Sequence, residues 1–156
     1  MLVRSDRRHR FPVEPDVLWA AMARVDRYPE WWPWLRRFEG RHLAVGDVWT
    51  CTVQPPLPWT LRFQIEIDEV VPATLVTAVV SGDVRGTARV ELAALERADG
   101  HPASCEARLV SELAPGNSVL RSVARLARPL VRFGHDWVLD TGARQFRDGA
   151  LRTRED

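Results

Sequence analysis

Trp59-Thr60-Leu61-Arg62-Phe63-Gln64-Ile65-Glu66-Ile67-Asp68 is the stretch whose reading decides the fold. Its apolar residues Trp59, Leu61, Phe63, Ile65 and Ile67 alternate with Thr60, Arg62, Gln64, Glu66 and Asp68, the period of two that a β-strand with one buried face requires. Such clean alternation belongs to an antiparallel sheet with one side packed on a core and the other in water. On the N-terminal side the Pro-rich turn Gln54-Pro55-Pro56-Leu57-Pro58 separates this strand from one over 48–53, and Val45-Gly46-Asp47 separates that from another over 36–43. On the C-terminal side Pro72-Ala73, Ser81-Gly82-Asp83 and Ala98-Asp99-Gly100-His101-Pro102 mark off strands over 75–80, 84–95 and 104–113. With an opening strand over 3–13, seven strands are predicted, and their spacing suggests a meander.

Both ends break the pattern. Glu14-Pro15-Asp16 favours a helix start, with a short helix over 17–25. Asp26 can cap a second short helix with Pro29 in its first turn, and Pro33 interrupts the cluster Trp31-Trp32-Pro33-Trp34. After Pro115-Gly116, where Asn117 or Ser118 can cap, a period of 3.6 runs to about Leu151. Val119, Val123, Leu126, Ala127, Leu130 and Val131 form one stripe of this long helix, and Arg121, Arg125, Arg128 and Arg132 another. Pro129 lies inside it and should kink or divide it. The expected class is α+β: a curved antiparallel sheet and a long C-terminal helix hide their apolar faces against each other, and the two short helices close one end. Residues 1–151 are expected to form one domain, with 152–156 a frayed tail.

Composition narrows function further. The 156 residues carry 22 Lys+Arg against 21 Asp+Glu, a net charge of +1, so no chain-wide field draws the protein to nucleic acid or anionic lipid. Cys51 and Cys105 belong to no C-x-x-C pattern, and the four histidines show no zinc spacing, so neither metal nor cofactor is signalled. Nucleotide loops and G-x-S-x-G are absent as well. The basic run near Arg4–Arg8 and the lack of any 18-residue apolar run point to a cytoplasmic protein without stable membrane insertion. Oligomeric state stays open.

Phe11-Pro12-Val13-Glu14-Pro15-Asp16-Val17-Leu18-Trp19-Ala20-Ala21, followed by Tyr28-Pro29-Glu30-Trp31-Trp32-Pro33-Trp34, resembles the opening of START-like (SRPBCC) proteins, especially the polyketide cyclase/dehydrase and lipid-transport group. Arg128-Pro129-Leu130 with His135-Asp136 is similar to the C-terminal helix of many bacterial members. The resemblance covers essentially the whole chain and implies a helix-grip fold around a deep hydrophobic cavity. Its members bind lipids, polyketides, quinones or plant hormones, and some catalyse cyclisation or dehydration.

Candidate contacts follow from the periodicities. His135 shares a helical face with Val131, Val138, Leu139 and Phe146 and is expected to point inward, either as the polar contact of a ligand and the candidate acid/base of a cyclase, or as a core histidine satisfied by a neighbour. Asp136 is placed as the i,i+4 partner of Arg132. The Trp cluster can be a lid stacking on a ligand or a packing anchor for the second helix. Trp31, Trp34, Trp49, Phe63, Val90, Leu109, Val131, His135 and Leu139 make up the expected lining, and small residues such as Gly86, Ala88 and Ala107 could leave room inside. The arginine stripe could dock on an acidic surface or be a solvated helix face, and Arg4, Arg7, Arg8 and Arg10 should divide between both faces of their strand. Three functions remain in play: binding of a small hydrophobic or amphiphilic ligand, a cofactor-independent aromatase/cyclase or dehydratase, and an interaction domain with a filled core.

Overall fold

The computed structural model describes residues 3–57, 59–96, 103–126 and 128–151, with the backbone alone at 124, 126 and 128–131. The expected tail 152–156 and the whole of the turn at 98–102 lie outside the described residues, as do the side chains of Leu126, Ala127, Arg128, Leu130 and Val131.

Seven strands form one antiparallel sheet: β1 (Val3–Phe11), β2 (Leu35–Glu39), β3 (Val48–Val53), β4 (Leu61–Val71), β5 (Leu75–Gly82), β6 (Val84–Ala94) and β7 (Cys105–Pro115). Their order is β1-β7-β6-β5-β4-β3-β2, a meander from β2 to β7 with the first strand returned to the far edge. β4 behaves as its alternation requires: Leu61, Phe63, Ile65 and Ile67 are sheltered, and the residues between them are exposed. Between Ile67 and Glu69 the register against β5 shifts, a local irregularity of the kind that bends a strand. Gly86 supplies a close approach rather than empty space: a Cβ there would sit 1.8 Å from the Glu112 carbonyl oxygen of β7, at φ +152°.

Helix α1 (Pro15–Met22) begins with proline at its first position, and Leu18, only 1% exposed, plugs it into the core. It starts two residues before the expected helix and stops three short. A 3₁₀ turn (Val25–Arg27) then leads into α2 (Tyr28–Trp31). Asp26 caps neither; its carboxylate takes the Arg24 guanidinium instead, at 3.1 and 3.0 Å. At the other end Asn117 is the cap of α3 (Ser118–Leu126), its Oδ1 accepting the Leu120 N–H at 2.7 Å while its Nδ2 donates to Asp83 Oδ1 at 3.0 Å. α4 (Arg128–Ala150) follows with Pro129 near its start; residue 127, where the expected kink or division would fall, lies outside the described residues. One expectation for α3 fails. Val119, assigned to the apolar stripe, is 75% exposed, while Leu120 beside it borders the cavity, so the first turn presents a neighbouring face inward. Arg121, Arg125 and Arg132 are exposed. No helix among the described residues is long and apolar enough to cross a membrane.

Candidate functional site

Between the concave sheet face and α4 lies a cavity of about 510 Å³. Its walls come from the inward rows of β3 to β7, from the loop carrying Pro55, Leu57 and Trp59, and from one stripe of α4. That stripe, His135, Val138, Leu139, Gly142, Ala143 and Phe146, recurs at the i, i+3, i+4, i+7 spacing of a single helical face. Of the expected lining, Trp34, Trp49, Phe63, Val90, Leu109, His135 and Leu139 border the cavity, with Ala88 and Ala107. Val131 falls where only the backbone is described.

Trp31 is elsewhere. It is 7% exposed and packs edge-on to Phe146 at 5.2 Å, on the surface of α4 beside Gly149, where an added Cβ would come within 2.7 Å of the indole. Trp32 takes the cavity position instead, its Nε1 donating to the Gly142 carbonyl at 2.9 Å, and Trp34 donates to Gln145 Oε1 at 2.8 Å. Two glycines seven residues apart on α4 thus seat the tryptophans. Each costs a helix interior about 1 kcal/mol against alanine, and that penalty was the available signal that something large packs there.

The polar groups on the wall are nearly all committed to the protein. Trp49 Nε1 donates to the His42 carbonyl and to Asp47 Oδ2, and the Tyr28 hydroxyl donates to the Met22 carbonyl. Burial raises the Tyr28 phenol well above its ordinary value, so it stays neutral. Burial likewise pushes the Cys51 thiol up to about 12 and Cys105 up to about 11, which leaves both inert; Cys51 lines the cavity, and neither is in a disulfide.

The exception is a seam where β1, β7 and α4 meet. Ser5 of β1 and Ser111 of β7 lie directly opposite each other in the ladder, and His135 Nε2 caps the pair at 3.5 and 3.4 Å. Its Nδ1 is buried without a partner, and burial lowers the imidazole's pKa below the usual 6.5, so the ring is neutral at pH 7. Farther along the same face of β1, Arg7 meets Asp136 at 3.0 Å and Asp140 at 3.9 Å, and His9 lies beneath Asp140. Asp136 therefore serves the sheet–helix seam through Arg7 rather than pairing along the helix with Arg132. Ser5, Arg7 and His9 were missed in the sequence because β1 alternates polar with polar, so hydrophobic periodicity picks no face. Of its arginines only Arg7 turns inward, while Arg4, Arg8 and Arg10 are exposed.

A sheet wrapped round a terminal helix, closed at one end by two short helices, places this architecture. The chain has the helix-grip fold. It superposes on the Zhui aromatase/cyclase of Streptomyces sp. R1128 with a TM-score of 0.77 at 12% identity, over 97% of this chain and 95% of that one. Norcoclaurine synthase from Thalictrum flavum, in complex with dopamine and hydroxybenzaldehyde, matches at 0.65 and 14% over 97% and 88% of the two chains. A protein from Thermus thermophilus matches at 0.71 and 13% over 98% and 99%. The sequence matches no family model and no curated protein. At such identities the likeness carries the helix-grip fold and no activity.

Proposed function

We propose that this chain binds a small hydrophobic or amphiphilic ligand, of lipid, polyketide or quinone class, inside the cavity, with residues 1–151 acting as one domain. The observation that carries this reading is the cavity itself: about 510 Å³, walled by aliphatic and aromatic side chains, is within the usual range for small-molecule pockets. A filled-core interaction domain would not leave such space. Trp34, Trp49, Phe63, Val90, Leu109 and Leu139 supply shape, and His135 is the polar contact. Two free, buried cysteines fit a reducing cytoplasm. Native mass spectrometry of freshly purified protein, followed by titration with fluorescent lipids, tests the reading. A bound small mass or saturable uptake is expected; a folded sample that takes up nothing overturns it.

A second reading, a cofactor-independent aromatase/cyclase or dehydratase, is favoured by one feature: a neutral imidazole held against two hydroxyls at the wall of an apolar cavity. In that case His135 would shuttle the proton of an enolisation. If a turnover is found, His135→Ala should lower kcat about 10²- to 10⁴-fold, and unchanged turnover would remove the mechanism.

A further inference from the structure

Across the sheet floor, in register, run Ala78 of β5, Ala88 of β6, Ser111 of β7 and Ser5 of β1. Ala78, Ala88 and Ser111 line the cavity, while the neighbouring row Val76, Val90 and Leu109 carries larger side chains. The small row is therefore a trough, and it leads to the hydroxyls beneath His135. A neutral imidazole has one proton to place. On Nδ1 it would be a buried N–H with no acceptor; on Nε2 it faces two serine oxygens. The proton belongs on Nε2, which donates to the serines. Ser111 then keeps its own hydroxyl hydrogen free to donate at the cavity wall.

The wall is also poor in positive charge. Among the described residues the only arginine bordering the cavity is Arg89, and its guanidinium turns to Glu91 at 3.1 Å. Arg7, behind the seam, is occupied by Asp136. A carboxylate or phosphate drawn into this space would shed its water and meet no cation.

Resting on the ligand-binding reading above, we propose that Ser111, backed by His135 and Ser5, is the recognition point for an uncharged oxygen acceptor: the site takes ligands whose apolar body ends in a ketone, ester or quinone carbonyl and discriminates against carboxylates and phosphates. The hydroxyl donates to that carbonyl, and the imidazole holds the hydroxyl in the orientation that aims its hydrogen into the trough.

The test uses three probes of one chain length, 2-undecanone, undecanoate at pH 8 and undecane, each displacing N-phenyl-1-naphthylamine from the full chain. Wild type should prefer 2-undecanone to both others. Ser111→Ala should weaken 2-undecanone about two- to tenfold, the worth of one hydrogen bond, while leaving undecane unchanged. Ser111→Thr, which keeps a hydroxyl on a strand that accepts a β-branched residue, should restore the preference. Undecanoate binding as tightly as the ketone, or a ketone preference that survives Ser111→Ala, overturns the proposal while leaving ligand binding intact. Folded protein that takes up neither the dye nor any of the three probes overturns the ligand-binding reading itself.

Discussion

The two ends of the sheet–helix interface are built on opposite rules. At one, Tyr28, Trp31, Trp32, Trp34, Phe38, Trp49 and Phe146 form a network of ring contacts with centroids 4.8 to 6.3 Å apart, and most of its polar atoms are matched within the protein. At the other, Ser5, Arg7, His9, Ser111, His135, Asp136 and Asp140 form a seam in which His9 Nε2, 3.9 Å from Asp140, and His135 Nδ1 are buried without a hydrogen-bond partner. The aromatic end has large buried ring area and, apart from the buried Trp31 Nε1, satisfied hydrogen bonds, so it holds the helix on the sheet. The polar seam forgoes stability by leaving buried nitrogens unmatched, and such groups are worth explaining by function.

If that division holds, the largest effect belongs to the aromatic end. Trp31→Ala should cost about 3–5 kcal/mol by urea unfolding, because the indole is buried and Gly149 cannot grow to fill the hole. A loss below about 1 kcal/mol would erase the contrast between the ends. Trp49→Phe should cost less, about 1–3 kcal/mol, through the loss of the indole bonds to His42 and Asp47. Asp136→Asn, at a partly exposed pair with Arg7, should cost about 0.2–1 kcal/mol and weaken with added salt.

The smallest effect is a pH dependence that only the seam can produce. Burial lowers both His135, which Asp136, Arg132 and Arg7 face, and His9, which Asp140, Arg147 and Arg7 face. With folded pKa values below the ordinary 6.5, the unfolded chain takes up protons first as pH falls through that value. Stability should therefore decline from about pH 6.5 downward and level off once the folded histidines are also charged. Carboxylates held low by their partners, such as Asp47 beneath the His42 and Arg41 amides, act only below their ordinary 3.8, whereas the histidine window opens at 6.5. His9→Phe with His135→Phe should flatten the upper window, as read from thermal midpoints against pH. An unchanged slope would mean that the seam is no drier than the surface.

Much of the architecture was legible in linear order. The alternation of β4 and the stripe from His135 to Phe146 are local periodicities driven by burial, and they survive folding because one face of each element must leave water. Asn117 at a helix start was legible for a similar local reason. The choice among Trp31, Trp32 and Trp34 was not, since a chain broken by Pro33 has no single period to follow. Trp31 went to the helix surface because Gly149 leaves a seat there. β1 was unreadable for a different reason: Ser5, Arg7 and His9 alternate with Arg4, Asp6, Arg8 and Arg10, and a hydrophobic pattern cannot rank polar against polar.

By itself, then, the order of residues determined the class of fold, the inward faces of its apolar strands and the side of the terminal helix that carries His135, because short-range periodicity records which atoms must avoid water. Tertiary structure alone decided that Ser5, 130 positions from His135, and Ser111, 24 positions from it, converge on one imidazole. Cross-strand register and the rotation at which a helix settles on a sheet come from the packing of many distant side chains at once, and no window along the chain contains that information.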